Sequence, residues 1–125
     1  MRSYVPLVAR TLLGLIFVMS AFSKITGFEG TQQYMASEGM PATAFFLVAA
    51  TIVELLGGLS VILGAWARAG ATALFLFLIP ATLIFHTDFS QQTQMIMFLK
   101  NMSIMGGLLL LIAYGSGRYS IQSIE

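Results

Sequence analysis

The sequence contains four apolar runs, each of about 20 residues, and this pattern restricts the chain to one kind of architecture. The runs cover residues 4–23, 41–64, 68–85 and 96–114. A helix of about 20 apolar residues crosses the hydrocarbon core of a bilayer. Inside lipid, each backbone N–H and C=O must be hydrogen-bonded within the protein, so runs of this length span as helices. The sequence therefore predicts an all-α integral membrane protein.

The connections between the runs are short, which predicts an antiparallel four-helix bundle. A polar segment covers residues 26–40, a tight hairpin covers residues 65–67, and a polar loop covers residues 86–94. Pro41 is expected in the first turn of the second span, and Pro80 is expected to kink the third. We expect residues 1–125 to form a single membrane domain.

The composition excludes several classes of function. The chain is 58% hydrophobic and 9% charged, far from the roughly 25% charged residues of soluble domains. Its net charge of +1 creates no field that would attract nucleic acid. It has no cysteines, which excludes disulfides, thiol redox chemistry and thiolate metal sites in this chain. The lipid bilayer is therefore the first expected partner.

The basic and acidic residues outside the apolar cores predict an orientation. Arginines are found at the N-terminus, the middle hairpin and the C-terminus, whereas the acidic loop residues belong to the other side: Arg2, Arg10, Arg68 and Arg118 against Glu29, Glu38 and Asp88. The positive-inside rule places both termini in the cytoplasm. The alternative is a cleaved signal peptide ending near residues 21–23, which Arg10 disfavours because it interrupts the start of the apolar stretch.

Glu54 is the leading candidate for function, because it lies near the middle of the second span. An ionisable group at that depth costs on the order of 3 kcal/mol by insertion scales and is expected to face the bundle interior. Gly57 and Gly58 follow at i+3 and i+4, on the same side of the helix, where another helix can pack closely. We predict a catalytic role for Glu54 as a proton relay.

Further polar groups lie on helix faces that can meet Glu54. One face of the first span carries a cation at each end and consists of Arg10, Gly14, Phe17, Ala21 and Lys24. One face of the last span carries Lys100, Ser103 and Gly107, with Asn101 and Gly106 beside it, and the third span adds Thr82 and His86. These residues predict a polar pocket that opens to the outer side, with Glu54 at its floor. The candidate ligand-binding residues are Arg10, Lys24, His86, Lys100 and Asn101.

The charge partner of Glu54 is predicted by counting residues along the helices. At about 1.5 Å per residue, Arg10 lies roughly 7 Å from the level of Glu54 and Lys100 roughly 10 Å, which favours Arg10 as the partner. Such a pair can also serve only to fix helix register. Without a cationic partner, Glu54 would be expected to bind a proton, and the sequence leaves both protonation states open.

Several of these residues have a purely structural interpretation. Lys24 and Lys100 can extend to the interface as anchors. His86 with Asp88 supplies too few ligands for a metal site, so no metal is expected. Gly57, Gly58, Gly106 and Gly107 are typical of close helix packing. The segment after the first span, which includes Phe28 and Tyr34, is either a short interfacial helix over the pocket or an ordinary loop.

The chain resembles the DoxX family of small bacterial membrane proteins over almost its whole length. The resemblance rests on five strings taken together: RTLLGLIFVMSAFSKITGF, EGMPA, IVELLGGLSVILGAWARAGA, PATLIFH and FLKNMSIMGGLLLLIAYGSGRYSI. It implies a multi-pass four-helix protein of the bacterial inner membrane. The family is named after a subunit of a thiosulfate:quinone oxidoreductase, and other members are linked to quinone, catechol or oxidative stress. Members that handle thiols use cysteines, which this chain lacks.

The resemblance and the residues together lead to three hypotheses. The first is a membrane subunit that binds a quinone or a similar aromatic, in or beside a redox complex, with Phe17, Phe45, Phe46 and Phe75 around the ring. No motif for a covalent cofactor, haem, flavin or nicotinamide is present, so a redox partner subunit would supply electrons. The second is a small-solute or proton transporter element, which would need to form a homo-oligomer. The third is an assembly subunit without chemistry of its own.

Overall fold

A computed structural model describes residues 4–85, 90 and 92–115, and within them all regular secondary structure is helical. The helices in chain order are α1 (Val5–Thr26), α2 (Phe28–Ser37), α3 (Thr43–Leu63), α4 (Ala67–Phe85) and α5 (Gln92–Tyr114). Four of these five, all except α2, are long and apolar enough to cross a bilayer. The all-α membrane fold and its four spans are therefore confirmed, with boundaries that differ from the prediction by a few residues.

The ends of α3 are set by two left-handed residues. Ala42 has φ 48° and ψ 50°, so α3 begins at Thr43, two residues later than the position predicted from Pro41. At the other end Gly64 has φ 73°, and its N–H donates to the Ser60 carbonyl. A left-handed residue at the C′ position satisfies a terminal carbonyl and turns the chain, and glycine adopts this conformation without steric cost. The α3–α4 hairpin follows directly.

α3 is the central element of the bundle. It packs along α1 on one side and along α4 on the other, and α5 packs on the far side of α4. α5 also touches α1, but much less extensively than the helices of these three neighbouring pairs touch each other. The four long helices are thus arranged in the order α1, α3, α4 and α5, with a weak contact between the first and the last.

Glycines bring the backbones of the helices close together. A Cβ on Gly14 of α1 would lie 2.7 Å from the carbonyl oxygen of Gly58 in α3. A Cβ on Gly57 would lie 2.7 Å from Cγ of Leu74 in α4, and one on Gly70 would lie 2.6 Å from the Ser60 hydroxyl. Glycines at such positions let neighbouring membrane helices approach closely and gain van der Waals packing.

The apolar core fills the half of the bundle nearer the α3–α4 hairpin. Its buried members are Phe17, Val61, Ala67, Ala71, Leu74, Leu78, Leu108 and Leu111. They come from all four long helices, and most lie between the hairpin and the level of Gly57. We call this end of the molecule the hairpin end.

The opposite end carries α2, and we call it the α2 end. α2 lies against the start of α3, where the Thr43 hydroxyl donates to Oε1 of Gln32 at 3.0 Å. Met35 of α2 is buried, whereas Tyr34 is exposed. Of the two interpretations offered for this segment, the short helix is the one the structure shows.

In α4, the helix continues through Pro80.

Candidate functional site

Glu54 is buried in the bundle and forms a salt bridge with Lys24 of α1. The Lys24 Nζ lies 2.7 Å from Oε1 of Glu54, and the two side chains are 24% and 4% exposed. Lys24 Nζ also donates to the Ser20 hydroxyl at 2.9 Å. Among the described residues, Oε1 of Glu54 accepts no well-aligned hydrogen bond, so the contact is a close ion pair rather than an oriented hydrogen bond.

The direction of helical side chains explains this pairing. Cα–Cβ bonds tilt toward the N-terminus of their own helix. α1 and α3 run antiparallel, so the Lys24 side chain extends back toward the hairpin end while the Glu54 side chain extends toward the α2 end. From the contact of Gly14 with Gly58, Lys24 Cα lies about 9 Å nearer the α2 end than Glu54 Cα. The two side chains extend toward each other and together span this offset between the Cα atoms.

The predicted pair of Arg10 and Glu54 is wrong. Arg10 is buried at the hairpin end, where Nη1 donates to the carbonyl oxygens of Val61 at 3.3 Å and Ile62 at 3.0 Å. By the tilt described above, the Arg10 side chain extends away from Glu54. The prediction of Arg10 rested on the rise per residue alone, which includes neither this tilt nor the register between the helices.

Thr82 and Asn101 form a second polar contact, between α4 and α5. The Asn101 Nδ2 donates to the Thr82 hydroxyl oxygen at 3.0 Å, and Thr82 is 4% exposed. Thr82 continues the buried row of α4 that begins with Ala71, Leu74 and Leu78, so it faces the bundle interior. Thr82 was placed near the predicted pocket but was not among the predicted ligand-binding residues. The sequence signal for Thr82 is its position four residues after Leu78, on the same helix face as the apolar row.

Lys24, Glu54, Thr82 and Asn101 together form what we call the polar layer. Each of the four long helices contributes one of these residues. From the contact of Gly57 with Leu74, Thr82 Cα lies about 7 Å nearer the α2 end than Glu54 Cα, close to the level of Lys24. The polar layer therefore lies between the apolar core and the α2 end.

Several of the other candidate residues lie outside the polar layer. Lys100 is exposed, and His86 lies outside the described residues. Phe17 belongs to the apolar core and Phe75 packs against it. Phe45 and Phe46 form an edge-to-face pair 5.3 Å apart and are both exposed, so the expectation that they line an interior pocket is wrong.

The four glycines singled out for packing have different surroundings. Gly57 and Gly58 lie at the close contacts of α3 with α4 and α1. A Cβ on Gly107 would lie 3.5 Å from Leu13 of α1, an ordinary van der Waals contact. A Cβ on Gly106 would meet no heavy atom within 4 Å, so this glycine faces open space.

Potential metal ligands do not cluster in the described residues. No group of three or more His, Cys, Asp or Glu side chains that could hold an ion occurs there. Among the described residues, the polar layer therefore offers a ligand hydrogen-bonding and ionic groups.

The sequence profile of the DoxX family matches residues 5–87, which contain three of the four long helices and both Lys24 and Glu54. The chain belongs to the DoxX family. No solved structure matches it with significance.

Curated relatives agree with this assignment. The chain is 41% identical over 120 residues to "Inner membrane protein YqjF" of Escherichia coli (strain K12), covering 94% of this chain and 89% of the relative. It is 34% identical over 125 residues to "Inner membrane protein YphA" of the same organism, covering 96% and 89%. Together with the four apolar helices, these relatives support a multi-pass inner membrane protein in contact with lipid.

A more distant relative has a name that refers to redox chemistry. The chain is 37% identical over 75 residues to "Putative oxidoreductase CatD" of Bacillus subtilis (strain 168), covering 60% of this chain and 54% of that protein.

Proposed function

We propose that this DoxX-family protein binds a quinone, or a small aromatic compound with similar ring oxygens, at the polar layer. The observation that carries the proposal is the ion pair between buried Glu54 and half-buried Lys24. Buried ionisable groups in membrane helices are costly and commonly mark binding or proton-transfer sites. The carboxylate keeps acceptor capacity, because it has more acceptor sites than the one that faces Lys24.

The polar layer offers both kinds of group that a quinone and its reduced form require. An ammonium has three donor hydrogens, and Lys24 can direct one of them at a ring carbonyl oxygen in place of Ser20. An ionised carboxylate accepts only, so Glu54 can accept a hydrogen bond, and then a proton, from a ring hydroxyl. Reduced and oxidised ligands would therefore differ in affinity.

Electron transfer would need a second protein or the ligand itself. The chain has no cysteine, and its sequence shows no motif for a redox cofactor. We therefore propose a subunit that binds the ligand and handles its proton beside a redox partner. The name of the Bacillus relative, which contains the word oxidoreductase, is in line with this role.

Transport across the bilayer has less support. The polar layer is separated from the hairpin end by core side chains with no exposed surface, among them Val61, Leu74 and Leu108. A path across the membrane would have to open this packed core. Four helices provide few elements for such a movement unless the protein oligomerises.

The proposed function is tested by thermal unfolding of purified protein with ubiquinone and menaquinone analogues in both redox states. A ligand that binds the folded state increases the free energy of unfolding by about 2.7 kcal/mol at a concentration 100 times Kd, and this raises the unfolding temperature. We expect a saturable shift that differs between the oxidised and reduced forms and is strongly reduced in Glu54→Gln.

Ser60→Ala provides a matched control. The Ser60 hydroxyl bonds to the carbonyl oxygens of Ala65 and Trp66 in the hairpin, away from the polar layer. This variant is expected to unfold more easily but to keep the full ligand-induced shift. If wild type shows no shift with any analogue, the proposed function is wrong, and a structural role for the ion pair becomes the better explanation.

A further inference from the structure

The face of α5 that touches α1 becomes progressively more exposed toward the α2 end. Leu111, near the hairpin end, is buried. One turn further, Gly107 lies in contact distance of Leu13 in α1. Lys100 and Ile96 follow seven and eleven residues from Gly107, so they lie on the same face, yet both are exposed. α1 therefore contacts this face at Gly107, whereas the same face is exposed at Lys100 and Ile96.

The facing surface of α1 leads to the polar layer. Ser20 and Lys24 lie seven and eleven residues from Leu13, about two and three turns, and so share its face. Ser20 is half-buried, and the Lys24 side chain is 24% exposed although it contacts Glu54. Lys24, which forms the ion pair with Glu54, thus lies on the same face of α1 as Leu13, which contacts α5.

We infer that α1 and α5 leave an opening in the side of the bundle between Leu13 and the α2 end, through which a lipid-soluble ligand reaches Lys24 and Glu54 from the bilayer. The inference rests on the proposed function and adds the class of ligand to it. The ligand is an oxygen-bearing ring with an apolar tail, whose tail stays in lipid between the two helices.

The lining of the opening fits such a ligand. Counted from the contact of Gly107 with Leu13, Lys100 on α5 lies at the level of Ser20 on α1, Ile96 lies at the level of Lys24, and exposed Ser103 lies between Gly107 and Lys100. The ammonium donors of Lys24 and Lys100 favour a ring whose oxygens accept hydrogen bonds. Exposed Ile96 and Leu12 lie near the two ends of the opening and offer apolar contact to a tail.

The test compares two tryptophan variants and two ligands in lipid nanodiscs. Ser103→Trp places a large side chain at the opening, whereas Met102→Trp places it one residue away on another exposed face of α5. The ligands are the ubiquinone ring with a decyl tail and the same ring with a methyl group instead. Affinity is measured from the ligand-dependent shift of unfolding.

We expect wild type to bind the tailed ligand better than the tail-free ring. Ser103→Trp should weaken binding of the tailed ligand by roughly tenfold or more, and Met102→Trp should change it by less than about twofold. If wild type binds but the two variants behave alike, the lateral opening is wrong and the proposed function remains. If wild type binds neither ligand, both are wrong.

A second measurement checks the opening without a ligand. Because the chain has no cysteine, Ser103→Cys and Met102→Cys each provide one site for a nitroxide label. Molecular oxygen concentrates in the hydrocarbon core, so its collisions with the label report contact with lipid. We expect similar collision rates at the two positions. A rate at Ser103 far below that at Met102 would contradict the opening.

Discussion

At the scale of single residues, the buried Arg10 and the half-buried Lys24 of α1 have different tasks. Lys24 neutralises Glu54 within the polar layer, whereas Arg10 donates to carbonyl oxygens in the last turn of α3. Cations are favoured near helix C-termini, where carbonyls are left without intrahelical partners. Arg10 therefore stabilises the hairpin end, and Lys24 combines a structural contact with the chemistry proposed for the site.

The ion pair should show strong coupling between its members. Removing one partner of a fully buried pair costs roughly 3–5 kcal/mol, and the partial exposure of Lys24 reduces the expected loss to about 1–3 kcal/mol. We expect Lys24→Met and Glu54→Gln each to lower the free energy of unfolding by about this amount, and the double variant to lose less than the sum. Equilibrium unfolding in mixed micelles measures the cycle. Additive losses would contradict a direct pair.

Arg10→Gln should affect stability and leave the site intact. The variant loses the charged hydrogen bonds to Val61 and Ile62, worth about 1.5–3 kcal/mol each for a charged donor. We expect a lower unfolding temperature with an unchanged response to the quinone analogues. A loss of ligand response at full stability would instead bring Arg10 back as a site residue.

At the scale of the elements, close packing of α1 on α3 depends on glycines that face a backbone. A Cβ at Gly14 would lie 2.6 Å from Cγ1 of Ile62 and 2.7 Å from the Gly58 carbonyl oxygen. The side chain can move, but the carbonyl belongs to the helix itself. A substitution at Gly14 therefore has to push α1 away from α3.

Gly14→Ala and Gly106→Ala form a matched pair of variants. We expect Gly14→Ala to destabilise the fold by about 1–3 kcal/mol through overpacking. Gly106→Ala meets open space and should be neutral or stabilising by roughly 0.5–1 kcal/mol, because alanine loses less backbone entropy in a helix. Unfolding in mixed micelles compares them. Equal effects at both positions would contradict the close approach of α1 to α3.

At the scale of the whole molecule, the bundle has two unlike halves. The hairpin end is packed with apolar side chains, and the α2 end contains the polar layer beneath a short helix. Exposed Arg68 lies at the hairpin end, and Glu29 and Glu38 lie at the α2 end. We propose that the hairpin end and both termini face the cytoplasm, so the polar layer lies in the outer half of the membrane.

Single cysteines test this orientation, since the chain has none of its own. Ser37→Cys in α2 and Ala69→Cys in the first turn of α4 are both at exposed positions. In spheroplasts, a membrane-impermeant maleimide should label Ser37→Cys directly and Ala69→Cys only after lysis. The reverse pattern would show that the termini face outward.

Much of the fold was predictable because it follows from local pattern. Apolar runs long enough to cross a bilayer must be helical, and short connections make them antiparallel, so the spans and their order could be read from residues alone. The isolated glutamate also identified itself, because few places in a membrane bundle tolerate a carboxylate. Predicting its partner failed, since Arg10 and Lys24 share one face of α1.

The sequence by itself determined that this chain is a four-span helical membrane protein with Glu54 facing the interior. Only the tertiary structure decided that Lys24 pairs with Glu54, that Thr82 and Asn101 join them, and that Lys100 faces outward. The physical reason is that helix register and side-chain tilt depend on contacts between distant residues, such as Gly14 with Gly58. Hydropathy and spacing describe each helix separately and contain no information about those contacts.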